Sequence, residues 1–536
     1  MRGARSAKWV AGAIVVAMAA TACGSDDGGN GGDGGGAAGD VNPDGVLVVD
    51  LGEPQNPLIP TDTNEVYGST VLDQLFSNLV DFDDDGELVH VAAESIEPND
   101  DASEWTVTLN EGWTFHDGTD VTADNYVDAW NWAADPANGQ KNGYWFEDIE
   151  GYGDGETMSG LEVVDETTFT VTLEEPVSYF NYKLAYTPFV PYPDSFFEDP
   201  EEFGSNPVGQ GPYKFVSWDH NESIVLERND DYAGDNKAQN GGVTFAMYTD
   251  PNAAYQDLVS GNVDVLRQVD PQNLPVYEDD LGDRAIAQPY NAMQSIVPVW
   301  YSEDWEDTDP RVLQGISMAI DRESITETIL FGSRVPADSF VPPNVRGYEA
   351  GIGGEIMEYN PERAKELIEE AGGVPDNEIH IQYNSDGGHQ DWVEAVCSDI
   401  ENNTGITCLT DPKPDFATDL DARDAKEVKS MYRGGWIMDY ALNVSFMKEL
   451  YGTNSSANTG FFSDEEVDRL FSEGDSAATV EETVAAYQEA ERVLFEKMPA
   501  IPLWSYNVNA GHSEKVTNVN FDTFGKPLIT EIQVVD

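Results

Sequence analysis

FHDGTDVTADNYVDAW, residues Phe115 to Trp130, places a turn, a helix start and a buried helix face in one short stretch. Asp117-Gly118 is a tight-turn dipeptide, because glycine reaches backbone angles that other residues avoid. Thr122 stands where a helix N-cap belongs, just ahead of Ala123. Asn125, three residues on, replaces the glutamate of the stronger capping box. Tyr126, Ala129 and Trp130 then recur at helical spacing and are expected to face a core. His116 sits beside the turn and reads as a structural hydrogen-bonding residue rather than a metal ligand or catalyst.

The flanks alternate strand and helix patterns. Glu104 to Leu109 (EWTVTL) and Thr168 to Leu173 (TFTVTL) have the alternation of half-buried strands. Val46 to Leu51 is an apolar opening strand, and Ser69 to Leu79 carries Val71, Leu72, Leu75, Phe76 and Leu79 at helical spacing. Pro361 to Ala371 reads as a helix opened by proline and closed by Gly372-Gly373. No internal repeat is visible. Mixed elements over this length imply an α/β protein with more than one lobe.

The amino terminus reads as an address. Arg2, Arg5 and Lys8 precede an apolar stretch, Trp9 to Ala20, that is too short to span a bilayer. It runs through Ala19-Ala20-Thr21-Ala22 into Cys23, which resembles a bacterial lipobox. That resemblance implies a signal peptide over 1–22, lipid on the Cys23 sulfur, and a protein anchored to the outer face of the cell membrane. Residues 23–42, rich in Gly and Asp, then form a tether that cannot bury a core. A flexible chain of that length spans roughly 20–25 Å.

With 27 basic against 101 acidic residues the net charge is −74, and removal of the signal peptide takes it to −77. Such charge excludes nucleic acid and anionic lipid as preferred surfaces. It fits a salt-exposed setting, where screening relieves the repulsion. The body has two cysteines, Cys397 and Cys408, eleven positions apart. In an oxidising compartment they read as one disulfide between a helix end and the next strand.

Beyond the opening stretch, five more segments follow in order. They are NPVGQGPY (206–213, with the strand 223–228 and NDDY at 229–232), LVSGNVDV (258–265), DPRVLQGISMAIDR (309–322), YNPERAKELIEEAG (359–372) and RGGWIMDY (433–440). Together they resemble the peptide/nickel family of ABC-transporter solute-binding proteins, family 5, from about residue 45 to the C-terminus. RGGWIMDY is similar to the Arg-x-Gly-Trp-x-x-Asp-Tyr stretch of its oligopeptide- and dipeptide-binding members. Two positions depart from the family pattern: Leu313 stands where an arginine is usual, and Ala441-Leu442 replaces a common Pro-Asp.

The resemblance implies a periplasmic-binding-protein-like class II (cluster C) fold, two lobes joined by a hinge. Lobe I takes 43–285 and 506–536, with an extra subdomain over 82–204, and lobe II takes 286–505. It implies that Asp439 binds a peptide's α-ammonium and that Arg433 meets its carboxylate. Gly435 and Ile437 would offer backbone hydrogen bonds, while Trp436 and Tyr440 complete the substrate-binding set. The implied partners are a peptide ligand and the transmembrane subunits of an ABC permease with a separate ATPase. The chain itself would be a monomer with no cofactor and no metal. The same fold could hold an oligosaccharide or a nickel chelate, or serve a peptide-sensing receptor.

Enzyme signatures are absent from the sequence. Asp81-Phe82-Asp83-Asp84-Asp85-Gly86 imitates an EF-hand start, but Ala92 occupies position twelve, so a hairpin turn between Val80 and Leu88 explains it better. There is no His-Glu-x-x-His pair, nucleophile elbow or phosphate-binding loop. Capture without covalent chemistry is the expectation.

Overall fold

A computed structural model describes residues 40–83, 86–153, 155, 157–270, 272–385, 388–414, 416–455 and 457–536. The expected signal peptide, Cys23 and the tether through Gly39 lie outside the described residues. The body begins earlier than the expected tether end. Val41–Asn42 is already a strand, paired antiparallel with Gln533–Val535 from the far end of the chain.

The 115–130 stretch folds as its local signals dictate. Helix Ala123–Ala134 starts after Thr122, whose amide donates to Asn125 Oδ1 at 2.9 Å. Tyr126, Ala129 and Trp130 are fully buried. Tyr126 stacks on Phe169 (ring centroids 5.8 Å), and Trp130 meets the same ring edge-on at 5.4 Å. That ring belongs to a four-stranded antiparallel sheet in the order Ala93–Pro98, Glu104–Leu109, Thr168–Thr172, Leu161–Asp165. His116 is structural: its Nδ1 accepts from the Gly209 amide and its Nε2 bonds the Gly211 carbonyl, both at 3.2 Å.

One helix differs from the sequence reading. The 69–79 helix forms as Val66–Leu75, capped by Glu65, whose carboxylate accepts from the amides of Tyr67 (2.7 Å) and Gly68 (2.9 Å). It stops at Leu75 because the chain at Gly209–Gly211 crosses its end, where the Gly211 amide donates to the Leu75 carbonyl at 2.8 Å. A Cβ at Gly209 would lie 2.0 Å from that oxygen, so only glycine permits the crossing. The 309–322 segment spans one helix and the start of the next. It breaks into Pro310–Met318 and Arg322–Thr328, the second capped by Asp321. Arg322 is buried at the break, and its guanidinium is satisfied by the carbonyls of Ser317 and Pro502 and the Ser317 hydroxyl.

Among the described residues the main sheet has eleven strands. Its order is Thr407–Lys413, Glu378–Asn384, Met431–Ile437, Ala285–Pro298, Ile501–His512, Val265–Leu266, Val46–Leu51, Gly242–Met247, Ser223–Arg228 and Tyr213–Asp219, with Arg334–Pro336 pairing Ile501–His512 to the side. Ala285–Pro298 and Ile501–His512 pair along nearly their whole length, with register shifts after Tyr290 and Gln294. Asp81 and its neighbours form a hairpin between Val80–Phe82 and Leu88–His90. Cys397, in helix Gln390–Thr404, is bonded to Cys408 in the next strand at an S–S distance of 2.01 Å.

Candidate functional site

Strand Met431–Ile437 has one full edge and one nearly empty edge. On the full edge it pairs antiparallel with Ala292–Pro298 throughout. On the other edge Glu378–Asn384 pairs only at Met431 and Tyr432. No described strand pairs residues 433–437 there. The Met438 amide donates to Asn291 O on the full edge at 3.0 Å. Backbone groups alternate between edges along a strand, so those of Gly435 and Ile437 face the empty one. Both residues are exposed, as a strand-adding ligand requires.

Arg433 lies back over this edge. A Cβ on Gly435 would come within 2.5 Å of Arg433 Nη1, so the glycine makes room for the guanidinium. Arg433 Nε donates to Asn384 Oδ1 at 3.2 Å, and the guanidinium lies 5.6 Å from the Phe416 ring centre. Trp436 is half-buried on the opposite face of the strand. Tyr440 is 1% exposed and stacks on Tyr179 at 5.7 Å, so it backs the wall from inside and offers no surface to a ligand.

Asp439 follows the strand's end. Its amide donates to Ser445 Oγ at 2.9 Å, and that hydroxyl lies 3.4 Å from Oδ2. Burial pushes its carboxyl up to about 8, and the negative charge of Glu449 adds to the push. The Ser445 bond and the Lys183 ammonium pull the other way without prevailing. Lys183 is engaged by Asp148, and Lys448 by Asp475 at 2.8 Å. Among the described residues no basic nitrogen lies within salt-bridge distance of Asp439. The site thus holds a shielded carboxyl that lacks a cation.

Residues the sequence reading missed complete the surroundings. Tyr144, half exposed, and Tyr186 lie close enough to Asp439 that its charge raises both phenols, after burial. They bring the 82–204 segment to the same carboxyl. Beside the strand, Arg423 in helix Phe416–Asp424 bonds Asp419, donates to the Arg433 carbonyl at 2.9 Å, and stacks 4.3 Å over Tyr432. None of these carries a spacing signal that ties it to RGGWIMDY. Among the described residues no group of acids, histidines or cysteines could hold a metal ion. No described helix is long and apolar enough to cross a membrane.

Comparison with known proteins agrees with this architecture. Residues 87–458 match the model of the bacterial extracellular solute-binding proteins, family 5. The oligopeptide-binding protein OppA of Bacillus subtilis is 25% identical over 477 residues, 84% of this chain and 85% of that protein. The periplasmic OppA of Salmonella typhimurium is 29% identical over 493 residues, 87% of each. The murein peptide-binding protein MppA of Escherichia coli is 27% identical over 454 residues, covering 81% of this chain and 83% of that protein. Among solved structures, unliganded open MppA superposes with a TM-score of 0.78 at 23% identity, covering 94% of this chain and 99% of that one. Haemophilus influenzae OppA in complex with RPPGFSPFR gives 0.75 at 24% identity, covering 93% and 100%. These structural likenesses establish the fold.

Proposed function

Because the chain belongs to the bacterial extracellular solute-binding proteins of family 5, which bind solutes rather than transform them, we propose that its solute is a peptide held by its free amine. The observation that carries this reading is Asp439, a shielded carboxyl with no described cation within salt-bridge distance, at the end of a strand that no described strand pairs along the outer edge of residues 433–437. An α-ammonium supplies the missing charge. An extended backbone supplies partners for Gly435 and Ile437 without reading side chains. Arg433, at the far end of the same edge, is placed for a carboxylate. Relatives named for oligopeptides and murein peptides support the same cargo.

The two lobes, 43–285 with 506–536 and 286–505, close on the peptide by rigid-body motion, with 82–204 as a subdomain of the first. The loaded protein delivers to an ABC permease, and lipid on Cys23 keeps it at the membrane. Mass spectrometry of the N-terminal fragment from membranes checks the lipid.

The decisive test is calorimetric titration of the mature protein with tetra-alanine and its N-acetylated form, repeated with Asp439→Ala. A charge-assisted hydrogen bond to a shielded ammonium contributes about 1.5–3 kcal/mol, so both changes should weaken binding by roughly 10- to 150-fold. Full peptide affinity in Asp439→Ala defeats the assignment. Binding of an oligosaccharide but of no peptide defeats the cargo.

A further inference from the structure

Tyr179, in the 82–204 segment, reaches a carboxylate that has no part in the peptide site. Its hydroxyl donates to Asp475 Oδ1 at 3.0 Å, at the end of helix Glu465–Asp475. Beside it the Ser178 hydroxyl lies 2.6 Å from Thr483 Oγ1 on helix Val480–Lys497, and the Ser178 amide donates to the Asp475 carbonyl at 3.4 Å. Asp475 is braced from its own side. The Tyr487 hydroxyl donates to Oδ1 at 2.7 Å, and Lys448 Nζ lies 2.8 Å from Oδ2. Ser178, Tyr179, Thr483 and Tyr487 are all buried.

A second contact joins the same two parts of the chain. Arg346 Nη1 donates to Glu87 Oε2 at 2.9 Å and to the Tyr182 hydroxyl, both from the 82–204 segment. Its Nη2 donates to Glu481 Oε1 at 2.9 Å, and its carbonyl accepts from the Asn443 amide at 2.9 Å. The guanidinium thus bridges the two sides while its backbone holds the loop that follows Asp439. Tyr440, in that loop, stacks on Tyr179 of the first contact.

The two contacts differ in weight. Water does not compete for the buried bonds of Ser178, Tyr179 and Thr483, so they shift an equilibrium more than exposed ion pairs do. The side chains of Glu87 and Glu481 are 57% and 74% exposed and add less. Both contacts are also built to separate. Lys448 and Tyr487 stay with Asp475 on opening, so no charge is left stranded. The Tyr440 hydroxyl is buried with no partner among the described residues, and separation returns it to water.

Resting on the two-lobe peptide reading above, we propose that these residues form a latch that holds the lobes closed without ligand: Ser178 and Tyr179 engage Thr483 and Asp475, and Arg346 engages Glu87 and Tyr182. A peptide enters by transient opening, and its release waits on the same opening. Every group in the latch belongs to the protein, so the bias toward closure is the same for any peptide.

Small-angle X-ray scattering of the mature protein, freed of bound solute by partial denaturation and dialysis, tests this. Ligand-free wild type should be as compact as the protein saturated with tetra-alanine. The double variant Ser178→Ala/Tyr179→Phe removes two hydroxyls and keeps the ring on Tyr440, and Arg346→Gln acts at the other contact. Both should expand when ligand-free and contract again with tetra-alanine. The double variant should release that peptide roughly tenfold faster than wild type. A ligand-free wild type larger than the loaded protein, or variants as compact as wild type without ligand, overturns the latch and leaves the peptide reading intact. Failure of tetra-alanine to bind wild type overturns the peptide reading, and the ligand-free comparison of wild type with the variants still decides the latch. If one variant does not fold, judged by its thermal transition, the other carries the test.

Discussion

Burial, with the negative charge of Glu449 felt at the Asp439 carboxyl, keeps Asp439 protonated up to about pH 8. A peptide ammonium reverses the balance, because a cation beside a carboxyl favours its ionised form. Binding at pH 7 should therefore release close to one proton. Calorimetry in buffers of different ionisation enthalpy measures that number directly. Affinity should rise about tenfold per pH unit from roughly pH 5 to 7. It should level off near pH 8, where the peptide amine loses its own proton. Asp439→Asn should abolish both the release and the slope. A slope of zero in the wild type would show that Asp439 does not meet the amine.

Glu491 makes a stability prediction of its own. It is fully buried, with Oε1 accepting from the Ser339 hydroxyl (2.6 Å) and the Phe340 amide (2.7 Å), and burial pushes it up to about 7. Between its ordinary value of 4.5 and about 7 the folded state holds a proton that the unfolded state has released. Stability is therefore lost as pH rises through that window, by up to about 1.4 kcal/mol per unit. Glu491→Gln keeps the acceptor and carries no charge. Its melting temperature should match the wild type near pH 5, exceed it at pH 8, and vary less in between.

His116 should move stability in the opposite direction. Burial pushes its imidazole down to about 4, and its two bonds to Gly209 and Gly211 suit the neutral ring. Its contribution is complete above 6.5 and is lost as pH falls through about 4. His116→Ala should cost about 1–3 kcal/mol at pH 7.5. The gap from wild type should narrow on acidification, as chemical denaturation at several pH values will show. A constant gap would mean that packing, not the neutral ring's bonding, is what His116 supplies.

Why some elements were legible in the sequence and others were not follows from where their determinants lie. The helix at Ala123 and the strands at Glu104 and Thr168 are set by caps and periodicity within a dozen residues, so local reading suffices. The helix at Val66 ends where Gly209 and Gly211 cross it, and Val41 is a strand because Val535 lies beside it. Neither partner is near in sequence. RGGWIMDY was legible as a motif, but its electrostatics were not. Glu449 and Ser445 lie past the motif, and Lys183, Tyr144 and Tyr186 come from another part of the fold altogether.

The charge imbalance yields the last prediction. With 27 basic residues for 101 acidic ones, most carboxylates have no cation to meet, whatever the geometry. Acids also crowd one another locally, as in Glu278-Asp279-Asp280 at the start of one short helix and Glu465, Glu466 and Asp468 in the first turn of another. Repulsion of this kind opposes the compact state over distances that salt sets, about 10 Å at 0.1 M and 3 Å at 1 M. The melting temperature should therefore climb steeply between about 10 mM and 0.5 M NaCl, where the screening length passes through the spacing of neighbouring charges. KCl should act alike, and sucrose, which excludes itself from the surface without screening, should give a smaller, linear rise. A transition unmoved from 10 mM to 2 M NaCl would mean that the carboxylates are spaced beyond one another's reach.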